Sequence, residues 1–267
     1  MQEPHLSRFC ELVRAGASTR DIHDASSDVG FASSDGAASE KYLRAEIARV
    51  AGHQKSMVPL LEHFVGRARS VLNFGCGSGG TTVAAALSAG LGAEELVGVD
   101  ANDSALEAAR VRALGYGLDA PRIRFEPVQP GRALPFADGS FDLVLCISVL
   151  EFLSSRAARA GLIAELQRVT RPGGHILLAT PSPWRLREYH SRRWLGNQLH
   201  RDGYPWSSSG ASLDRMFDRC STVNIASFVV ADLIRRRGLP GSTPAAWLAP
   251  LLNPLLPWQK CLYRRKG

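Results

Sequence analysis

Ten residues, Val71 to Gly80 (VLNFGCGSGG), hold the densest chemistry in this chain: an apolar run passes into a turn with glycines at 75, 77, 79 and 80. A glycine-rich turn between a strand and a helix brings bare backbone against a cofactor. Gly75, Gly77 and Gly80 match GxGxxG, and Gly75, Gly77 and Gly79 match the shorter GxGxG. A second apolar run, Leu96 to Val99, ends in Asp100, 21 residues after Gly79. A carboxylate at the tip of a second strand accepts hydrogen bonds from both hydroxyls of a ribose, and so selects a nucleoside without a 2′-phosphate. NAD and S-adenosylmethionine both satisfy that pattern.

Two further blocks separate them. Leu134 to Val144 reads LPFADGSFDLV, and Arg171 to Leu178 reads RPGGHILL. With VLNFGCGSGG and GVD they resemble, in order and spacing, the class I S-adenosylmethionine-dependent methyltransferases, and within them the methyltransferase type 11 group, over residues 68 to 182. The resemblance implies S-adenosylmethionine as cofactor. It places Gly75, Gly77 and Gly79 under the methionine and ribose parts and Asp100 on the ribose hydroxyls, with the backbone near Ile147 and Ser148 lining the cofactor. Asn73 stands where the family commonly has an acid (DFGCG), so a loop-orienting amide replaces a charged contact to the cofactor amine. Where the family often reads GDAxxLPF, this chain reads EPVQPGRALPF, and Gln129 or Glu126 takes the place of the aspartate that faces the adenine amine.

CISVLEFL resembles the family's SVLEH segment, with Phe152 where histidine is frequent. Glu151 is a candidate catalytic carboxylate near the substrate, or else a carboxylate that orients the following turn. The remaining candidate base is His190, in TPSPWRLREYH beyond the fifth strand, a loop that overlies the donor methyl in the fold the resemblance implies. A histidine near neutral pKa takes a hydroxyl proton, and Tyr189, Arg187, Arg192 and Arg193 around it suit a carboxylate or phosphate. The competing reading is a surface histidine in a basic loop. Cys76 reads as a small loop filler.

Methyl transfer from a sulfonium is an in-line displacement that neutralises the positive sulfur, so the leaving group needs no acid. The enzyme must hold donor and acceptor in line, worth up to about 7–11 kcal/mol, and in some cases supply a base worth about 10² to 10⁴-fold. The expected function is methyl transfer to a small-molecule, glycan or lipid-linked acceptor, at oxygen. Two other enzymatic or binding readings stay open: an NAD-dependent oxidoreductase, and a nucleic-acid-binding protein or methyltransferase using the basic C-terminal third. Against the latter, the chain has no DPPY or NPPY tetrapeptide of the kind that grips a flipped base. Asn73 and Phe152 also leave open a noncatalytic cofactor-binding regulator.

Composition narrows the setting. With 267 residues, 45% hydrophobic and 21% charged, the chain is long enough for a sizeable core. Five cysteines, at 10, 76, 146, 220 and 261, never form CxxC. That argues against a disulfide framework or zinc site and for a reducing cytoplasm. The opening MQEPHLSRFCELVRAG has no apolar core of signal-peptide length, and no apolar run reaches the 18 residues of a spanning helix. Residues 184–267 hold 14 of the 32 Lys+Arg but only 5 of the 25 Asp+Glu, so the whole net charge of +7 belongs to the C-terminal third. An anionic substrate or surface fits that asymmetry, as does a solvated arginine-rich face.

The elements that must position these residues follow from periodicity. Residues 5–15 read as a short helix, 18–39 as a loop, and 40–65 as one or two helices interrupted at Pro59. Strands are expected at 70–74, 96–99, 123–126, 141–147 and 175–180, with helices at 81–89, 104–114 and 156–170. Near-continuous apolar strands between amphipathic helices imply an α/β fold, doubly wound around a mostly parallel sheet, with the cofactor at the carboxyl ends of the strands. A helix near 213–217, a late strand over 223–230 and a helix over 231–237 complete the pattern. The expected division is an N-terminal helical cap (1–66), a cofactor-binding core (67–182) and a substrate-side insertion with the last core elements and a basic apolar tail (183–267). Trp247 and Trp258, flanked by Arg235–Arg237 and by Arg264–Lys266, suit either an anionic membrane surface or packing as core.

Overall fold

The computed structural model describes residues 3–19, 36–153, 155–182, 210–236 and 258–267. They fall into two compact units, one of residues up to 62 together with 66–132, the other of 63–65 together with 133 onward.

The first unit opens with two helices, α1 (Glu3–Thr19) and α2 (Gly36–Ser56), and the start of α3 (Val58–Phe64). Pro59 separates α2 from α3 by falling in the first turn of α3, where its missing N–H would have had no partner in the helix anyway. Then follow β1 (Ser70–Phe74), α4 (Gly80–Ala86), β2 (Glu95–Asp100), α5 (Asp103–Gly115) and β3 (Ile123–Pro127). The strands lie in the order β3-β2-β1, all parallel, with Phe74 opposite Val99 and Asp100 opposite Pro127. Their carboxyl ends therefore line up along one edge, which sets the glycine turn after β1 beside Asp100 and the start of the segment after β3. Val71, Leu72, Leu96, Val97 and Val99 are fully buried, as expected of parallel strands covered on both faces. Phe9, Leu12 and Val13 of α1 pack with Leu43 of α2 and Ala108 of α5. Each such side chain contributes about 1.5–3 kcal/mol when fully buried.

In the second unit β4 (Phe141–Ile147) is followed by α6 (Arg156–Val169), β5 (Thr170–Pro181), α7 (Gly210–Met216), β6 (Cys220–Val223), α8 (Ala226–Arg236) and β7 (Trp258–Arg265). The order is β4-β5-β7-β6, with β4 and β5 parallel and β7 antiparallel to both neighbours. Ser155 caps α6 by accepting the Ala158 N–H at 3.0 Å. The last turn of α6 pins the loop before β4: Arg168 donates to the Phe136 and Leu134 carbonyls, and Glu165 accepts the Leu134 N–H at 2.9 Å.

The doubly wound, mostly parallel α/β class is the one expected, and the first four strands fall where periodicity puts them, while β5 covers the expected 175–180 but starts at Thr170, and α2 starts at Gly36 inside the stretch expected as loop. Two later elements differ in kind. Of the run 223–230, expected as a strand, only Val223 is in one, while 226–230 form the start of helix α8, because Ala226, Val230 and Ile234 recur at helical spacing and cluster together. The strand lies just before it, in β6, a short edge strand whose Ser221 and Thr222 are exposed and leave little apolar signal.

The second difference is β7. Part of the segment expected as a basic tail is a strand whose Cys261, Leu262 and Tyr263 are buried; Tyr263 stacks on Phe217 with ring centroids 3.9 Å apart and donates its hydroxyl to Asp214 at 3.0 Å. Arg265 donates to the Arg168 carbonyl at 3.0 Å and Lys266 to the Asp218 carbonyl at 3.2 Å, so these cations close the strand end. Residues 237–257, including Trp247, lie outside the described residues. No described helix is long and apolar enough to cross a membrane.

Because β7 lies between β5 and β6, a chain ending at Leu239 leaves β6 unpaired and one edge of β5 open, removes Leu262 and Tyr263 from the core and exposes the Phe217 ring on which Tyr263 stacks. At about 1.5–3 kcal/mol per buried side chain this consumes most of a typical stability of about 5–15 kcal/mol. Thermal melting by circular dichroism is expected to show loss of the cooperative transition, and a wild-type melting curve would show that β7 is dispensable.

Candidate functional site

The glycine turn is held by main-chain bonds that leave almost no freedom. Gly75 and Cys76 both donate their N–H to the Val99 carbonyl, at 2.8 and 3.0 Å, and Gly79 donates to the Cys76 carbonyl at 3.0 Å. Gly77 donates its N–H to Asp100 Oδ2 at 2.7 Å. Gly75, Gly77 and Gly79 all have positive φ, of 69°, 51° and 77°, a region that costs other residues about 1–2 kcal/mol.

Two of these glycines do different work. A Cβ on Gly79 would lie 2.8 Å from Ala109 Cβ and 3.2 Å from Phe125 Cε1, so this glycine lets the start of α4 close on α5 and β3. Among the described residues nothing lies within 4 Å of the Cβ position of Gly77, which points into open space.

Asp100, at the tip of β2, links this turn to the next helix. Its Oδ1 accepts the Asn102 N–H at 3.0 Å, and the Asn102 side chain caps α5 by accepting the Ala105 N–H at 3.1 Å. The Asp100 carbonyl accepts the Val128 N–H at 3.0 Å, which places the exposed Gln129 one residue past this anchor. Glu126 Oε1 accepts from Arg124 at 2.6 Å. Asn73 turns to the helix side: buried in β1, its amide nitrogen donates to Thr82 Oγ1 of α4 at 2.8 Å. Burial, and then the Asp100 carboxylate, push the Cys76 thiol well up, so it stays protonated.

The turn has a further anchor that periodicity does not reveal. Glu46 of α2, 2% exposed, accepts the Ser78 hydroxyl at 2.5 Å and also bonds Arg49 and Arg112. His53 Nε2 lies 3.1 Å from Thr81 Oγ1, and Gln54 donates to the Ala84 carbonyl at 2.6 Å. In the sequence α2 showed only its apolar face; a contact between positions 46 and 78 has no local signature.

In the second unit, β4 ends in the half-buried Ile147 and then Ser148, whose φ of 59° makes it the one non-glycine residue with positive φ among the described residues. Backbone strain of this kind concentrates at functional positions. Ser148 donates its N–H to the Ala179 carbonyl of β5 at 2.9 Å. Glu151, 0% exposed in the turn Leu150–Phe152, accepts the Thr180 hydroxyl at 3.2 Å. Of the two roles open to it, that burial favours orienting the turn against β5 over touching a substrate. Its charge, after burial itself, pushes the Cys146 thiol up. His190 and its neighbours Arg187, Tyr189, Arg192 and Arg193 lie outside the described residues. No group of three potential metal ligands occurs among the described residues.

The N–H groups of Gly75, Cys76, Gly77 and Gly79 are spent within the protein, that of Gly77 on the Asp100 carboxylate, which sets an acceptor for hydroxyl donors beside the turn. The Asp100 oxygens each carry one N–H bond and retain lone pairs for further donors.

Comparison with known proteins matches this geometry. The family model described as "Methyltransferase domain" matches residues 72–178. The ribosomal protein L11 methyltransferase of Marinobacter nauticus is 36% identical over 111 residues, 42% of this chain and 33% of that protein. The ubiquinone/menaquinone biosynthesis C-methyltransferase of Burkholderia cenocepacia is 25% identical over 186 residues, 67% of this chain and 73% of that protein. Among solved structures, an S-adenosylmethionine dependent methyltransferase from Mesorhizobium loti shares the fold, with a TM-score of 0.55, 19% identity and coverage of 81% of this chain and 100% of that one. The chain spans between a third and a half of the length of the first curated relatives it matches.

Asp100→Ala removes the acceptor of two N–H groups. Hydrogen bonds to a charged group contribute about 1.5–3 kcal/mol each, so the variant is expected to lose at least about 1.5 kcal/mol of unfolding free energy, read from the urea midpoint. An unchanged midpoint would show that the turn is held without the carboxylate.

Proposed function

We propose that this chain, whose residues 72–178 belong to the class I S-adenosylmethionine-dependent methyltransferase domain family, binds S-adenosylmethionine and transfers a methyl group to a small-molecule, glycan or lipid-linked acceptor, at oxygen. The observation that carries the reading is the turn itself, which sets the Asp100 carboxylate against the Gly77 N–H with no described atom within 4 Å of the Gly77 Cβ position. A carboxylate there suits the vicinal hydroxyls of a nucleoside. When bound, the cofactor supplies an electrophilic methyl on a sulfonium.

The chain's own residues bind and orient. Asp100 takes the ribose hydroxyls, and Gly75 and Gly77 allow close approach, while Gly79 fixes the packing that holds them. Asn73 acts on the loop through Thr82, and Gln129 is the adenine-side candidate past β3. The backbone at Ile147 and Ser148 lines the donor, and Glu151 is a positioning residue for that turn. His190 is the proposed base for a hydroxyl acceptor, on the strength of its place beyond β5. The acceptor class rests on the type 11 resemblance, and the similarity to a quinone-pathway C-methyltransferase over two thirds of the chain supports a small or lipid-like molecule.

Purified protein is expected to bind S-adenosylmethionine and S-adenosylhomocysteine and not NAD in titration calorimetry, with affinity reduced tenfold or more in Asp100→Ala, about the loss of one hydrogen bond to a charged group. Tight NAD binding without response to the sulfonium would overturn the reading. A cell extract incubated with the protein and deuteriomethyl donor is expected to yield a labelled product by mass spectrometry, which identifies the acceptor.

With the acceptor in hand, His190→Ala is expected to slow turnover by about 10² to 10⁴-fold and leave cofactor affinity as it was. Wild-type turnover of the variant from about pH 6 to 9, a range that spans the usual histidine pKa, would show His190 to be a loop residue only.

A further inference from the structure

The N-terminal helices sit outside the strand-and-helix core, yet one of them holds the glycine turn. Along α2, Glu46, Arg49, His53 and Gln54 share a face at helical spacing. Glu46 accepts the Ser78 hydroxyl at 2.5 Å, His53 reaches Thr81 and Gln54 bonds the Ala84 carbonyl. Ser78 lies between Gly77, which faces open space, and Gly79, which is packed shut against Ala109. α2 thus grips the one turn residue flanked by both.

The grip is costly. Arg112 of α5, 1% exposed, donates to the Glu46 carbonyl at 2.8 Å, lies 3.4 Å from its Oε2 and places its guanidinium 4.3 Å from the centre of the Phe9 ring. Among the described residues, Nε and Nη1 of Arg112 and Nε of Arg49 are buried with no hydrogen-bond partner. Removing charges from water costs more than an incompletely bonded pair recovers, so such a cluster is a poor source of stability. What it supplies is position: it sets Glu46 at a fixed point facing Ser78.

We infer that Glu46 is a positioning residue of the cofactor turn, and that through its bond to Ser78 cofactor binding and the docking of α2 are one coupled equilibrium. This rests on the proposed cofactor. Coupling is reciprocal: if docked α2 favours the binding form of the turn, bound cofactor must favour docked α2 by the same factor.

The test uses the full chain with S-adenosylhomocysteine, reading affinity by calorimetry and amide hydrogen exchange across residues 36–56. In the wild type the ligand is expected to slow exchange in α2 severalfold. Ser78→Ala removes one hydroxyl and leaves the Glu46–Arg112 pair in place. It is expected to melt within about 4 °C of wild type, on the order of 1 kcal/mol for a chain of this size, to bind the ligand about tenfold more weakly, and to lose the ligand-induced protection of α2. Ser78→Thr, which keeps the hydroxyl, is expected to restore both.

Equal affinity in Ser78→Ala, or no effect of the ligand on α2 in the wild type, overturns the inference and leaves the cofactor reading intact. Weaker binding with α2 still protected also overturns it, since the hydroxyl would then act on the ligand directly. Failure of the wild type to bind S-adenosylhomocysteine overturns both.

Discussion

The Asp100 carboxylate is the group around which the cofactor side of the first unit is organised. It closes β2, takes the N–H of Gly77 on one oxygen and that of Asn102 on the other, and its carbonyl anchors Val128 after β3. One side chain thereby fixes the glycine turn, the cap of α5 and the start of the next segment. The carboxylate presents one oxygen to each N–H group, and buried or half-buried N–H groups left unpaired are costly. The parallel register matters equally, because only aligned carboxyl ends bring Phe74, Asp100 and Pro127 to one edge.

A glycine motif alone does not separate the cofactors that share it. The motif GxGxxG describes where a backbone can approach a ligand, not which of its donors remain available. Here the N–H groups of Gly75, Cys76, Gly77 and Gly79 are taken by Val99, Cys76 and Asp100, so a carboxylate, an acceptor suited to hydroxyl donors, stands beside the Gly77 backbone.

Three further features join residues distant in sequence. In the first unit, α2 reaches the turn through Glu46, at the expense of a buried guanidinium, which burial lowers to a pKa of about 10. In the second, β7 comes from the end of the chain to lie between β5 and β6, and its buried Tyr263 packs flat on Phe217. The strained Ser148 and the buried Glu151 shape the turn after β4. Each joins residues distant in sequence, and each departs from the pattern that local periodicity implies.

Periodicity and glycine spacing determined the parallel strands, their helices, the turn at 75–79 and the acid at 100, because these depend on local dihedral freedom and on apolar runs that any covered parallel strand must show. The first half of the helix over 226–236 and the strands at 220–223 and 258–265 were not legible, although the second half of that helix was: β-branched residues at 223–230 satisfy a strand as well as a helix, and a strand ending in arginines shows too few apolar positions. The roles of Asn73, Ser78 and Glu46 were decided by tertiary structure alone. A side chain's partner across many residues is set by how elements pack, so Asn73 faces Thr82 and Glu46 faces Ser78 for reasons that no window of sequence contains.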